Sequence, residues 1–412
     1  MTMPLLRPKR KNPVRRTPQM NVPPAARSRV ALALTAAAAQ GRFELQVCAD
    51  CGAVQYPPRE ACHACLGPRL QWTAQGGTGT LLATTTLHHS NDLYFRERLP
   101  WRLGFIRLDA GPTLKAHLHG DVPAPQAGQP APRVRISARL DRSGHAVLVA
   151  LPPEETPHMA DDPMLREMGA DPRLRKVLVT DGMTPLGQAL VRALAAAGAD
   201  IIWVGHAQPW KRHGSGLDAL DALPPVTRVP LDLSDERSVA DLAGEIGGKV
   251  DIVINNAEVH RSFGIAARRG TDAARAEMEI NYFGALRLAQ QFGPALKGRS
   301  ADGALSAVAW VNILSIYALA NFPPHGTYSA SKAAALSLAQ CLRAEMRPAG
   351  IRVVNVFPGP VDDEWNQNLP PPKLAPAALA GAVVKALRDG VEDVYPGDVA
   401  QEWLERWRED PR

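Results

Sequence analysis

From Lys176 to about Val394, short apolar runs alternate with longer amphipathic ones. Strand-like segments fall at Lys176–Thr180, Asp200–Gly205, Val226–Asp232, Val250–Asn255, Ala307–Ile313 and Arg352–Phe357, with a last one near Val394. Helix-like runs lie between them, including Gly187–Ala197, Glu236–Ile246, Arg275–Phe292 and Tyr328–Met346. Apolar strands separated by helices bury their surface as a parallel sheet covered on both faces. The alternation therefore predicts an α/β, doubly wound parallel sheet over residues 175–412.

Within the last long helix, Tyr328 and Lys332 stand four positions apart, so both side chains share one face. A free phenol has a pKa near ~10, and an adjacent ammonium favours the phenolate. A shift of roughly three units would make it an acid or base near neutral pH. Such a pair alone is more often a solvated helix pair. Two further residues narrow the reading: Ser315, thirteen positions before the tyrosine at the end of a strand, and Asn281 inside an earlier helix. Ser315 would hold the oxygen that the phenol protonates, and Asn281 would hold a water beside the lysine.

This set resembles the short-chain dehydrogenase/reductase family, over roughly residues 175–400. The resemblance implies a Rossmann-type fold, an NAD(P) cofactor and a catalytic tetrad of Asn281, Ser315, Tyr328 and Lys332. It places the cofactor against Thr180, Gly182, Gly187, Asp232, Asn255, Ala257, Pro358, Gly359 and Val361, as well as Tyr328 and Lys332. The sequence departs from the pattern at the first turn, where Thr-Gly-x-x-x-Gly-x-Gly is replaced by Thr180-Asp181-Gly182-Met183-Thr184-Pro185-Leu186-Gly187. Pro185 at the first helical position with Thr184 as cap is a sound helix start, yet it removes an N–H that could meet phosphate. Asp181 brings negative charge toward a pyrophosphate, a repulsion of about 4 kcal/mol at 4 Å and an effective dielectric of 20. Glu258 replaces the glycine of Asn-Asn-Ala-Gly, and Asp363 stands where a hydroxyl is expected. The second strand ends in Val204-Gly205-His206, without a carboxylate for a ribose diol. His206 where arginine is common in NADP users tilts the expectation toward NADP over NAD.

The N-terminal third follows a different plan. A helix is expected over about 25–40. Cys48-Ala-Asp-Cys51 and Cys62-His-Ala-Cys65 then supply four thiolates, a donor set suited to structural tetrahedral zinc. Their clustering argues for metal in a reducing compartment rather than a disulfide framework. Gly52 and Gly67 are expected to serve the tight turns around the ion, and His63 is discounted as a ligand. After Trp72, short strands at Gly79–Leu87, Leu103–Asp109, Thr113–His119, Arg133–Leu140 and His145–Val149 suggest a small antiparallel barrel. His117 and His119 read as ordinary barrel residues. The order helix, zinc ribbon, barrel, with Tyr56-Pro57-Pro58-Arg59 and Gly76-Gly77-Thr78-Gly79, resembles the acyl-CoA-associated zinc-ribbon/OB-fold family over roughly 25–150. That resemblance implies assembly with thiolase-type partners and holding of CoA-linked substrates.

The expected organisation is a basic flexible arm (1–24), helix and zinc ribbon (25–70), OB-fold barrel (71–150), a proline-rich linker (151–174) and the dehydrogenase-like domain (175–412). A net charge of +6 over 412 residues is modest, and without interleaved aromatics the arm argues weakly for nucleic acid. No apolar stretch approaches the ~20 residues of a membrane span, and the N-terminus lacks the apolar core of a secretory signal; a cytoplasmic location is expected. Two functions remain. One is an NAD(P)-dependent oxidoreductase interconverting a secondary alcohol and a ketone on an acyl-CoA or steroid/lipid-derived substrate. The other is a non-catalytic scaffold that binds acyl-CoA or a thiolase-type partner. Members resembling the dehydrogenase family are usually homo-oligomers, so one is expected here.

Overall fold

The computed structural model describes residues 2–6, 20–24, 28–207, 219–261, 264–267, 269–302 and 306–411. The basic residues of the expected arm, Arg7, Lys9, Arg10, Lys11, Arg15 and Arg16, lie outside the described residues. Two compact units emerge: Met1–Gly169 with Asp389–Val391, and Ala170–Arg388 with Glu392–Arg412.

In the first unit a helix spans Leu32–Ala39, shorter than the expected 25–40, and buries Leu34, Ala37 and Ala38. Strands β1 (Glu44–Cys48), β2 (Val54–Gln55) and β3 (Leu70–Ala74) form a small antiparallel sheet in the order β2-β1-β3. Strands β4 (Thr78–Leu87), β5 (Trp101–Leu108), β6 (Thr113–Leu118), β7 (Arg133–Leu140) and β8 (Ala146–Leu151) close into a barrel ordered β4-β5-β6-β8-β7. Alternation drives the closure. In β6, Leu114, Ala116 and Leu118 point inward, to a core shared with Leu81, Ile106, Ile136 and Leu140. The barrel is not wholly antiparallel, because β6 and β8 pair in parallel.

Residues 151–174 are more ordered than a linker reading allows. Asp162 caps a helix over Pro163–Met168, its Oδ1 accepting from Met164 N (2.9 Å) and Leu165 N (3.3 Å). Met164, Leu165 and Met168 pack with Trp101, Val149 and Leu151. The prolines suggested a spacer; the methionines and leucine between them have apolar surface to bury, and it is buried.

In the second unit, β9 (Lys176–Val179), β10 (Ile201–His206), β11 (Val226–Pro230), β12 (Ile252–Asn255), β13 (Ala309–Ile313), β14 (Arg352–Val356) and β15 (Asp393–Val394) form one parallel sheet. The order is β11-β10-β9-β12-β13-β14-β15. β9, β12, β13 and β14 are almost fully apolar and buried, as strands covered on both faces must be. The chain leaves β9 toward β10 on one side and returns at β12 on the other. The crevice beyond the carboxyl ends of β9 and β12 is the place where such sheets bind ligands. Among the described residues no helix is long and apolar enough to cross a membrane.

Candidate active site

The turn after β9 sets one wall of that crevice. Thr180, 2% exposed, ties the two strand ends together: its Oγ1 accepts from Asn256 N (3.0 Å) and Ala257 N (3.1 Å) and donates to Asn255 Oδ1 (3.2 Å). Asn256 bridges to the turn, its Oδ1 accepting from Asp181 N (3.0 Å) and its Nδ2 donating to Asp181 O (2.6 Å). Thr184 caps the helix Pro185–Ala196 by accepting from Gly187 N at 3.1 Å. The glycines are needed for packing: a Cβ on Gly187 would lie 1.9 Å from Asp181 O, and one on Gly182 2.0 Å from Val204.

Asp181 does not turn outward. Its Oδ1 accepts from Met183 N at 2.7 Å. Burial pushes its carboxyl up, opposed by that hydrogen bond and reinforced by the nearby Glu258 charge.

The opposite wall is the helix Gly326–Met346, which carries Tyr328 and Lys332. Both are buried, at 4% and 2% exposure. Glu258, from the segment after β12, sits between them. Tyr328 Oη donates to Glu258 Oε2 at 3.0 Å, and Lys332 Nζ lies 2.8 Å from the same oxygen and donates to Ile313 O at 3.1 Å. The sequence reading expected the ammonium to pull the phenol down. Instead Tyr328 is pushed well above the usual tyrosine value, first by burial and then by the Glu258 charge and hydrogen bond, with Ser315 opposing. The reason is local: the carboxylate neutralises Lys332 at the phenol. Against the cost of burial, Lys332 holds Glu258 below the usual carboxylate range.

Ser315 is buried beyond β13, its Oγ accepting from Tyr317 N at 3.2 Å. Asn281 lies in a π-helical turn, Glu279–Gly284, within the run expected as one uninterrupted helix. Its Oδ1 accepts from Val259 N (2.9 Å), and its Nδ2 donates to Val259 O (2.9 Å) and Ser331 Oγ (2.8 Å). Both its N–H donors fix the Glu258 segment to the helix of Tyr328.

Two histidines were missed. His260 stacks on the Tyr328 ring, centroids 4.0 Å apart at 22°, and its Nε2 meets His325 Nδ1. Burial lowers His260 to about 4, with Glu258 opposing, and burial also lowers His325. The nearest sequence signal was position alone, His260 two residues after Glu258 and His325 three before Tyr328.

A cleft open to solvent runs from Thr184–Leu186 past Asn256, Glu258 and Ser315 to Tyr328 and the Pro358–Val361 loop. Among the residues expected at the cofactor, Pro358, Gly359 and Val361 line it. Asp232 lies apart from that lining; its Oδ1 accepts from Ser234 N (2.9 Å) and Oγ (2.6 Å). Asp363 caps the turn Glu364–Asn366, accepting from Trp365 N (3.0 Å) and Asn366 N (3.2 Å). His206, weighed as a phosphate partner, is 7% exposed.

In the first unit the Sγ atoms of Cys48, Cys51, Cys62 and Cys65 lie within 4.8 Å of one another. Gly52 takes a left-handed φ of 72°, but in the second knuckle this falls on Leu66 (60°) instead of Gly67. Hydrogen bonds from the Cys65 and Ala64 amides bring the Cys62 thiol down to about 7, while Cys51 and Cys65 in the same cluster are raised. His63 faces Gln55 instead, Nδ1 to Oε1 3.3 Å. His117, on the face of β6 opposite the barrel core, accepts from Trp101 Nε1 (2.7 Å).

Comparison with known proteins agrees with both halves. The short chain dehydrogenase model matches residues 175–373. The ChsH2, rubredoxin-like zinc ribbon domain matches 35–71, and the ChsH2, C-terminal OB-fold domain matches 72–142. A crystal structure of a short chain dehydrogenase from Burkholderia cenocepacia in complex with NADP is 36% identical, with a TM-score of 0.52, covering 58% of this chain and 95% of that one. Dehydrogenase/reductase SDR family member 7B of Mus musculus is 32% identical over 199 residues, 47% of this chain and 59% of the relative. An uncharacterized oxidoreductase of Mycobacterium bovis is 30% identical over 229 residues, 51% of this chain and 63% of the relative. The chain thus spans about three fifths of the length of these curated relatives. The chain belongs to the short-chain dehydrogenase/reductase family of oxidoreductases, with ChsH2-type zinc-ribbon and OB-fold domains preceding the dehydrogenase domain.

Proposed function

We propose that the chain interconverts a secondary alcohol and a ketone with NAD(P), on an acyl-CoA or other lipid-derived substrate. The observation that carries this is the convergence of Tyr328, Lys332 and Ser315 at the carboxyl ends of the central strands, beside a cleft reaching back to a helix N-terminus. A dinucleotide fits this frame. The helix start Pro185–Ala196 would face its phosphates, Lys332 its nicotinamide ribose, and Pro358, Gly359 and Val361 its nicotinamide. When bound, the nicotinamide supplies or accepts the hydride. Tyr328 gives its proton to the carbonyl oxygen as the alcohol forms, or takes the hydroxyl proton as the ketone forms. Ser315 donates a hydrogen bond to the same oxygen, and Lys332 compensates charge on the phenol.

NADP is favoured over NAD by the NADP complex of the 36% identical relative. The acyl-CoA class rests on the ChsH2-type domains, as do a thiolase-like partner and structural zinc at Cys48, Cys51, Cys62 and Cys65; a homo-oligomer rests on the dehydrogenase family. The test is turnover of 3-ketoacyl-CoA and ketosteroid panels with NADPH and NADH. Oxidation of either nucleotide that depends on substrate supports the reading; none across the panels, with nucleotide bound, opposes it. A second reading, a non-catalytic scaffold, is favoured by one observation: Asp181 and Glu258 already hold donors that a dinucleotide would use.

A further inference from the structure

A dinucleotide needs anion-binding donors at the turn after β9 and a cation at the nicotinamide ribose. Three of the turn's amide donors are committed within the chain. Gly182 N donates to Gly205 O (2.9 Å), Met183 N to Asp181 Oδ1 (2.7 Å) and Gly187 N to Thr184 Oγ1 (3.1 Å), while Pro185 has no N–H. Asp181 cannot drift easily, since Asn256 grips its backbone on both sides. At the other end, Glu258 Oε2 holds both the Lys332 ammonium and the Tyr328 hydroxyl. Two carboxylates thus hold donors that a dinucleotide would use, Glu258 in the lining of the cleft and Asp181 in the turn just before Thr184, and they follow the two strands that flank the crevice.

We propose that Asp181 and Glu258 are built-in competitors of the dinucleotide, holding its phosphate-binding amide and its ribose-binding ammonium, so that these two carboxylates set nucleotide affinity. The inference rests on reading the cleft as a nucleotide site. Entry of the nucleotide must move Glu258 off Lys332 and break the Asp181–Met183 bond. Displacement of Glu258 has a second effect: the phenol loses its carboxylate acceptor and regains an unneutralised ammonium four residues away. Binding and readying of the tyrosine are then one event.

The test is equilibrium titration of the full-length, zinc-loaded protein with NADPH and NADH, followed by nicotinamide fluorescence. Wild type is compared with Glu258→Gln, Asp181→Asn and the double variant, each checked for folding by thermal melting. The expected result is at least a tenfold gain in affinity for each single variant and a larger gain for the double, not the simple product because the two carboxylates interact. If Glu258→Gln does not fold, Asp181→Asn alone carries the comparison. Measurable wild-type binding with tighter binding by the variants supports both the inference and the oxidoreductase reading. No wild-type binding with binding by the variants supports the inference and removes the nucleotide-dependent reading for the natural chain. Micromolar wild-type binding that changes less than threefold in the folded variants overturns the inference and leaves the oxidoreductase reading standing. No binding by any folded form up to millimolar nucleotide overturns both.

Discussion

The Tyr328 hydroxyl donates a hydrogen bond to the Glu258 carboxylate, and burial together with that carboxylate determines when the phenol ionises. A tyrosine raised by burial and by Glu258 stays protonated through neutral pH and beyond the ordinary value of ~10. Removing the carboxylate charge removes a cause of the rise, so the phenol of Glu258→Gln must ionise at lower pH. Lys332 on the same helix, His260 on the Glu258 segment, Asp181 after β9 and Asp363 beyond β14 remain around it. The measurement is the alkaline difference absorbance of each protein minus its Tyr328→Phe counterpart. A midpoint that falls in Glu258→Gln agrees; an unchanged midpoint contradicts the assigned cause. At this scale the sequence was half legible. Tyr328, Lys332 and Ser315 show because their chemistry follows a fixed spacing. The Glu258 contacts do not, since they join residues 70 and more positions apart, and the sequence showed only an acid in place of a glycine.

Elements position these residues, and two of them can be tested separately. The π-helical turn at Glu279–Gly284 aims Asn281 at the Glu258 segment; such turns break the regular ladder and gather at functional sites. Asn281→Ala abandons Val259 N and O, a loss of about 1–3 kcal/mol for buried groups left unpaired. Chemical denaturation should show that drop, with faster hydrogen exchange confined to residues near 256–260; an unchanged stability contradicts the positioning role. In the zinc ribbon, about one zinc per chain is expected from a four-thiolate site. Cys62→Ser should lower bound zinc to near zero by elemental analysis, and retention of the full complement would refute the site. The four cysteines were legible because metal spacing is local. The extra residue-level detail, a left-handed Leu66 in place of Gly67, was not, because composition alone does not say which residue bears the turn.

At the scale of the whole molecule, the parallel sheet was the most legible feature, since strands buried on both faces leave no polar alternation to misread. The packed helix Pro163–Met168 was the least, since its prolines look like a spacer and its partners lie on β5 and β8. The last strand is held by Glu392, 1% exposed, which takes two bonds from Arg347 (2.6 and 2.7 Å) and one from Arg352 (3.2 Å). Despite burial, these cations hold its carboxyl below the usual range. A depressed value means the stabilisation is complete above the unfolded pKa of ~4.3 and is lost as pH falls through the folded one. Glu392→Gln should therefore cost about 3–5 kcal/mol at pH 7, with the gap to wild type closing in acid; equal stability at pH 7 would contradict it. Hydride transfer with proton donation from Tyr328 can be followed by supplying reduced nicotinamide nucleotide deuterated at its transferable position, with ketone substrates, and reading the product by mass spectrometry. Deuterium is expected on the carbinol carbon with wild type, and at least a hundredfold slower labelling with Tyr328→Phe. Nucleotide bound but no label transferred to any ketone, or equal labelling by Tyr328→Phe, would contradict it.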